Sequence, residues 1–341
     1  MASATYRAIE VTVPRNFKAV DRELRDPGPN EVRIRVLSCG VCHSDMVAVD
    51  GPRPDPDRPV VPGHEIVGII DAVGSGVSTW RPGERVGVGY LGGHCGVCEQ
   101  CRRGRFVSCT DQPATGSDVD GGYAEYVYAR ASGVVRVPEE LAPIDASPLL
   151  CAGLTTYKAV LRTAARPGTL IAVQGIGGLG HLGLQYAAKL GYRVAAIARG
   201  ADKADLAVQL GADYFIDSEA QNPAAALQQL GGAAGIIATA TSGASMSPLV
   251  DGLAPGAMMV VVGVTLDPIP VSTFSLVFGG THAVVGSLTG SSIENEDSLA
   301  LAVAHDIRPM TEVMALDDAP KAYDRMMSGD ARFRVVLEVG R

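Results

Sequence analysis

Aromatic side chains are scarce in this sequence: 5% of the residues, with a single tryptophan, Trp80, set against 41 glycines. A chain poor in rings and rich in Gly, Ala and Val points to tight turns and buried α/β sheets. An excess of basic charge is missing as well. With 29 Lys and Arg against 37 Asp and Glu the formal net charge is −8, and no basic stripe occurs, which argues against a nucleic-acid partner. Long hydrophobic runs are also missing. Stretches such as Ala257–Val264 are far too short to span a bilayer, so no membrane partner is expected. The opening MASATYRAIEVTVPRNF has no apolar signal core, from which we expect a cytoplasmic protein. What is left is a folded globular balance, 47% apolar and 19% charged, in 341 residues, a length that suits two domains.

Cysteine is used sparingly but unevenly. Four of the seven, Cys95, Cys98, Cys101 and Cys109, fall within GGHCGVCEQCRRGRFVSC. Cytoplasmic thiols stay reduced, so clustered cysteines point to metal before disulfides. The spacing C-x2-C-x2-C-x7-C can wrap one zinc ion in a closed tetrahedron, with Gly93, Gly96 and Gly104 permitting the turns. Spacing alone leaves an iron–sulfur cluster open. Such a site holds a loop and does no chemistry. Of the remaining three, Cys39 reads as a core residue. Cys42 in SCGVCHSD, His64 in PGHE and Cys151 in PLLCAGLTTY could form the three-ligand set of a catalytic zinc with its fourth position open. Their distance along the chain keeps spacing from deriving this. Taken singly, His64 reads as a polar turn residue and Cys151 as a small buried hydrophobe.

A second motif has better local context. TLIAVQ (169–174) reads as a short apolar strand, followed by Gly175-Ile176-Gly177-Gly178-Leu179-Gly180 and then by HLGLQYAAKLG with helical spacing. This is G-x-G-x-x-G between strand and helix: the first glycine turns, the second admits a pyrophosphate, the third lets helix pack on strand. Further strands are expected at 193–199, 213–216, 235–240, 257–263 and 282–287, with helices at 202–210 and 223–230, a doubly wound α/β pattern. Where an acid would hold the ribose of NAD, this chain has Arg199, with Lys203 following; Asp202 reads as a helix cap. NADP(H) is therefore expected over NAD(H). Gly178, Leu179 and Val264 are further candidate coenzyme contacts.

Together GVCHSD, GHEIVGIIDAVGSGV, the four-cysteine lobe, LCAGLTTY and GIGGLG, in that order, resemble the zinc-dependent alcohol dehydrogenases of the medium-chain dehydrogenase/reductase superfamily over nearly the whole chain. The resemblance implies a GroES-like β-rich catalytic domain (1–152 and 287–341, carrying the structural-zinc lobe 92–110) with an inserted Rossmann domain (153–286), and a site in the cleft between them. It implies Cys42, His64 and Cys151 on a catalytic Zn2+ and the lobe cysteines on a structural Zn2+. By the same resemblance Ser44 takes the alcohol proton, Asp45 orients the zinc histidine, and Glu65 stands near the metal. His43 and Arg334 contact the pyrophosphate, Thr155 lies under the nicotinamide, and Tyr90 narrows the substrate pocket. The position that ends the proton relay in many relatives is Val47, which cannot carry a proton. The implied activity is reversible hydride transfer between a primary, or secondary, alcohol and NAD(P)+, in a homo-oligomer, tetramer or dimer. The alternatives are an aldehyde reductase of cinnamyl-alcohol or polyol type, or a zinc-independent enone or quinone reductase.

Overall fold

Alternating side chains open the structure. In the computed structural model, which describes residues 4–51 and 58–340, β1 (Thr5–Val11) turns back antiparallel onto β2 (Phe17–Glu23). The long β3 (Glu31–Val41) then buries Val32, Ile34 and Val36 on one face and turns Arg33 and Arg35 outward; from Ser38 onward every residue is buried. A strand half-covered at one end and wholly covered at the other delivers its last residues into the interior. β4 (Glu65–Val73), β5 (Arg85–Val88), β6 (Tyr126–Arg130) and β7 (Val134–Arg136) follow, all antiparallel to their neighbours.

The chain then builds a second compact unit, Thr155–Leu288. Its strands are β8 (Leu170–Gln174), β9 (Arg193–Ala198), β10 (Tyr214–Asp217), β11 (Ala233–Ala238), β12 (Leu253–Val261) and β13 (Ala283–Gly286), all parallel in the order β10-β9-β8-β11-β12-β13. That is the doubly wound order of a dinucleotide-binding sheet. All five residues of β8 are buried, as a parallel strand covered on both faces requires. The helix expected from residue 202 begins at Ala204, with Lys203 at its N-cap and no side-chain capping bond, so Asp202 does not cap it. The next helix, Pro223–Gln229, is capped by Asn222, whose side chain accepts from Ala225 N at 3.1 Å.

From Thr289 the chain rejoins the first unit, which also holds the residues up to Leu154. β14 (Thr311–Ala315) and β15 (Arg334–Glu338) complete a sheet ordered β14-β15-β3-β4-β5-β7, with β6 also paired to β3. The pairing sets Val335 opposite Val41 and Glu65 opposite Gly40, so one end of β3, the start of β4 and the start of β15 coincide. Among the described residues no helix is long and apolar enough to cross a membrane.

Candidate metal centre and coenzyme loop

The coincidence of those three strand ends places Cys42, His64, Glu65 and Arg334 together. Cys151 arrives by another route. It sits in a π-helical turn, Leu149–Gly153, that continues the helix Pro143–Pro148. Two side chains brace this turn. Ser147 shares a buried hydroxyl hydrogen bond of 2.8 Å with Ser38 of β3, and Asn295 donates to the Leu150 carbonyl at 3.0 Å. The sulfurs of Cys42 and Cys151 are thereby 4.0 Å apart. Ligand atoms of Cys42, His64, Glu65 and Cys151 all lie within 4.8 Å of one another, and all four residues are buried.

This donor set fits zinc. Two thiolates at about 2.3 Å from a common tetrahedral ion stand roughly 3.8 Å apart. His64 Nδ1 lies 2.8 Å from Asp45 Oδ1, while Nε2 is buried with no protein partner. A buried ring nitrogen without a partner is costly unless something else binds it. In the protein without metal, the bond from Cys151 and the nearby His64 hold the Cys42 thiol well below its ordinary range. The Cys151 thiol is pushed up by that same bond and by burial.

Beside them, Glu65 Oε1 accepts from Arg334 Nη2 at 2.5 Å, and the same nitrogen donates to the Val41 carbonyl at 3.1 Å. Burial pushes the Glu65 carboxyl up to about 8 despite the arginine. Its Oε2 has no partner, and a Cβ on Gly40 would fall 1.9 Å from it, so only glycine fits there. Arg334, named for a pyrophosphate contact, is buried and engaged with Glu65. Ser44 Oγ lies 3.9 Å from Cys42 Sγ, and Tyr90 packs its ring edge-on to His64 with centroids 5.1 Å apart. His43 is exposed and Thr155 is buried.

The four lobe cysteines form a second cluster, also within 4.8 Å, with the Cys95 and Cys109 sulfurs 3.6 Å apart and no disulfide. The separation suits a shared ion and is far too long for an S–S bond. Backbone amides point at the sulfurs: Cys98 N to Cys95 Sγ at 3.3 Å and Asp111 N to Cys109 Sγ at 3.4 Å. The amides of Cys101 and Thr110 lower the Cys98 thiol to about 6. Gly93 and Gly96 carry positive φ of 112° and 75°, as the tight loop demands.

In the second unit, Gly175 has φ +88°, and a Cβ on Gly180 would fall 1.7 Å from the Gly175 carbonyl, so both must be glycine. Gly177 differs: a Cβ there would meet nothing within 4 Å. The fold does not need that glycine, whereas a phosphate approaching the backbone would. Gly178 and Leu179 complete the turn into the helix Gly180–Lys189. Lys203 Nζ donates to the Ile176 carbonyl at 3.1 Å. Arg199 is exposed just past β9, and Val264 is exposed past β12. Asp217, the acid facing this corner from β10, accepts through Oδ1 from the amides of Gly200 and Glu219, each at 2.9 Å.

Two residues around the metal centre escaped the sequence reading, Tyr123 and Asn295. Asn295 was legible: in the helix Ser292–Ala304 the buried positions Asn295, Ser298, Leu299 and Ala302 follow a helical period, and an amide on an inward stripe needs a partner.

Comparison with known proteins finds two family models along the chain. The family model "Alcohol dehydrogenase GroES-like domain" matches residues 28–139, and "Zinc-binding dehydrogenase" matches residues 178–304. An alcohol dehydrogenase of Geobacillus stearothermophilus is 39% identical over 311 residues, covering 91% of this chain and 92% of that one. Among solved structures, a cinnamyl alcohol dehydrogenase from Sorghum bicolor aligns with a TM-score of 0.88 at 33% identity over 98% of each chain. The CAD from Helicobacter pylori complexed with NADP(H) aligns with a TM-score of 0.85 at 27% identity over 99% of each.

Proposed function

Because the chain belongs to the zinc-type alcohol dehydrogenases of the medium-chain superfamily, and is an alcohol/aldehyde oxidoreductase, we propose that it works with NADP(H) and two zinc ions per chain, one catalytic and one structural. Primary alcohols and their aldehydes are its substrates on this reading. The observation that carries it is the convergence of two cysteine sulfurs and one partnerless imidazole nitrogen at a buried point. When bound, zinc supplies Lewis acidity toward a hydroxyl or carbonyl oxygen, and the nicotinamide supplies hydride exchange. Cys42, His64 and Cys151 hold the metal, their two thiolates offsetting its charge. Asp45 fixes the ring of His64. Ser44, whose Oγ lies 3.9 Å from Cys42 Sγ, relays the alcohol proton during oxidation, taking it on Oγ while its own hydroxyl proton passes on to solvent, and does the reverse during reduction. Glu65, anchored by Arg334, keeps one oxygen free beside the ligand set. Tyr90 restricts the space next to His64 and favours slender substrates. The likeness to the Sorghum bicolor protein supports arylallylic alcohols as a second class. Both metal-ligand sets are complete, which counts against a zinc-independent enone or quinone reductase.

Initial rates with NAD+ and NADP+ over a panel of aliphatic, benzylic, cinnamyl and polyol alcohols, with zinc measured on the same sample, test this reading. Zinc below one per chain, or no alcohol oxidised by zinc-loaded protein, would defeat it. The coenzyme preference rests on Arg199 standing where an acid would hold a ribose, with Asp217 already bonded to backbone amides. A charge-assisted hydrogen bond contributes about 1.5–3 kcal/mol. Arg199→Asp should therefore lower kcat/KM for NADP+ roughly 10- to 100-fold relative to NAD+. An unchanged ratio would show that the phosphate is held elsewhere.

The exposed apolar side chains of Phe274, Val277, Phe278 and Leu288, close to the edge strand β13, support a homo-oligomer. Light scattering should give a mass above the 35.3 kDa of one chain, and Phe278→Glu should lower it. A monomer at micromolar concentration would contradict this.

A further inference from the structure

Asp45 has more partners than a histidine-orienting carboxylate needs. Its Oδ1 lies 2.8 Å from His64 Nδ1. Its Oδ2 accepts from the backbone amide of Cys42 at 2.9 Å and from the Tyr123 hydroxyl at 2.9 Å. One carboxylate thus ties together two of the three metal ligands, and a residue 78 positions away holds that carboxylate in turn.

The chain goes to some length to put Tyr123 there. Gly121-Gly122-Tyr123 runs against the segment just before His64: Gly121 N donates to the Val61 carbonyl at 2.7 Å, Gly122 N to that of Gly63 at 3.0 Å, and Tyr123 N to that of Pro62 at 3.0 Å. A Cβ on Gly121 would fall 2.0 Å from the Gly63 carbonyl, and one on Gly63 would fall 2.4 Å from the Tyr123 ring. The ring is wedged and fully buried. Filling this space needs only a phenyl ring. The hydroxyl adds nothing to packing, is costly to bury unpaired, and has Asp45 Oδ2 as its hydrogen-bond partner. An O–H donor to a buried carboxylate is among the stronger hydrogen bonds.

We propose that Tyr123 is a positioning residue of the metal centre: by clamping Oδ2 of Asp45 it presents Oδ1 to His64 Nδ1 and so keeps Nε2 aimed at the ion. The proposal rests on the zinc reading above. Removing the clamp leaves Asp45 with the Cys42 amide alone on that oxygen. The carboxylate can then turn, and His64 holds the metal less well.

The test is Tyr123→Phe, which keeps the ring and deletes one hydrogen bond. Outer partners of metal ligands are typically worth about 10- to 100-fold in metal affinity. A chelator should therefore strip catalytic zinc about tenfold faster from Tyr123→Phe, at the low end of that range. Zinc of the four-cysteine lobe should leave at the wild-type rate, an internal control on folding. Cobalt in the catalytic site should show an altered visible absorption band. In an Asp45→Asn background the same substitution should add nothing, because its route is gone. Wild-type loss rates with an unchanged cobalt band would overturn the proposal alone. So would an effect that adds in full to that of Asp45→Asn, which would mark a packing role. Wild-type protein that takes up no metal at Cys42, His64 and Cys151 would overturn the zinc reading and this proposal with it.

Discussion

Cys151→Ser is expected to abolish turnover while leaving the protein folded. Serine occupies nearly the same volume and sits in the same π-helical turn, whose braces, the Ser38–Ser147 and Asn295–Leu150 hydrogen bonds, do not involve the sulfur. A neutral hydroxyl is a poor substitute for a thiolate, and two remaining ligands are too few for a tetrahedral site. Zinc content should fall from about two to about one per chain. The metal's contribution to stabilising charge in the transition state is several kcal/mol. Losing it lowers kcat/KM by at least about a thousandfold at 1.36 kcal/mol per decade. Elemental analysis and initial rates on the same sample check this, with circular dichroism to confirm the fold. Near-normal rates from protein that has lost one zinc would mean the metal at this point does no chemistry.

Cys98→Ser should act in the opposite way, costing stability and sparing the mechanism. The segment around Cys98 has little structure of its own, two short helical turns, Glu99–Arg102 and Phe106–Ser108. Its ends are tied down by Gly92 N on the Pro113 carbonyl at 2.8 Å and by Ser132 Oγ on the His94 carbonyl at 2.8 Å, and between His94 and Thr110 only Cys101 is buried. Four sulfurs around one ion close this loop much as a disulfide would, and a native disulfide is worth about 2–5 kcal/mol. At roughly 2–4 °C per kcal/mol, melting should fall by about 10 °C. Proteolysis should nick residues 92–110 first, while fresh protein keeps its kcat. Scanning calorimetry and limited proteolysis measure both. An unshifted melting temperature would mean the lobe is held by protein contacts alone. A brown sample with visible absorption would identify an iron–sulfur cluster there in place of zinc.

These two sites differ in how far a sequence can reveal them. The lobe closes within fifteen residues, so its spacing already limits its geometry. The same holds for the glycine loop, where strand, turn and helix are consecutive, and for β8, β9 and β11, whose burial on both faces makes them nearly continuous apolar runs. Boundaries were less legible. β12 starts at Leu253, ahead of the apolar run at Ala257, because Leu253 bridges Ala233 across a register shift that no local pattern announces.

The catalytic centre lies at the other extreme. Cys42 and Cys151 are 109 positions apart, and individually each looks like a small core residue. Only the resemblance joined them with His64. What joins them physically is the pairing of β3 with β4 and β15, together with a helix tied to β3 through Ser38 and Ser147. The role of Arg334 shows the same limit. Its position near the chain's end says nothing about direction, and the register of β15 turns it inward onto Glu65. The sequence by itself therefore determined the sheet that carries the glycine loop and the lobe that can wrap one metal, since both are set by neighbours along the chain. Tertiary structure alone decided which distant thiols and imidazole share a point and which tyrosine stands behind them, because those contacts come from strand register and close backbone approach between segments that local periodicity does not relate.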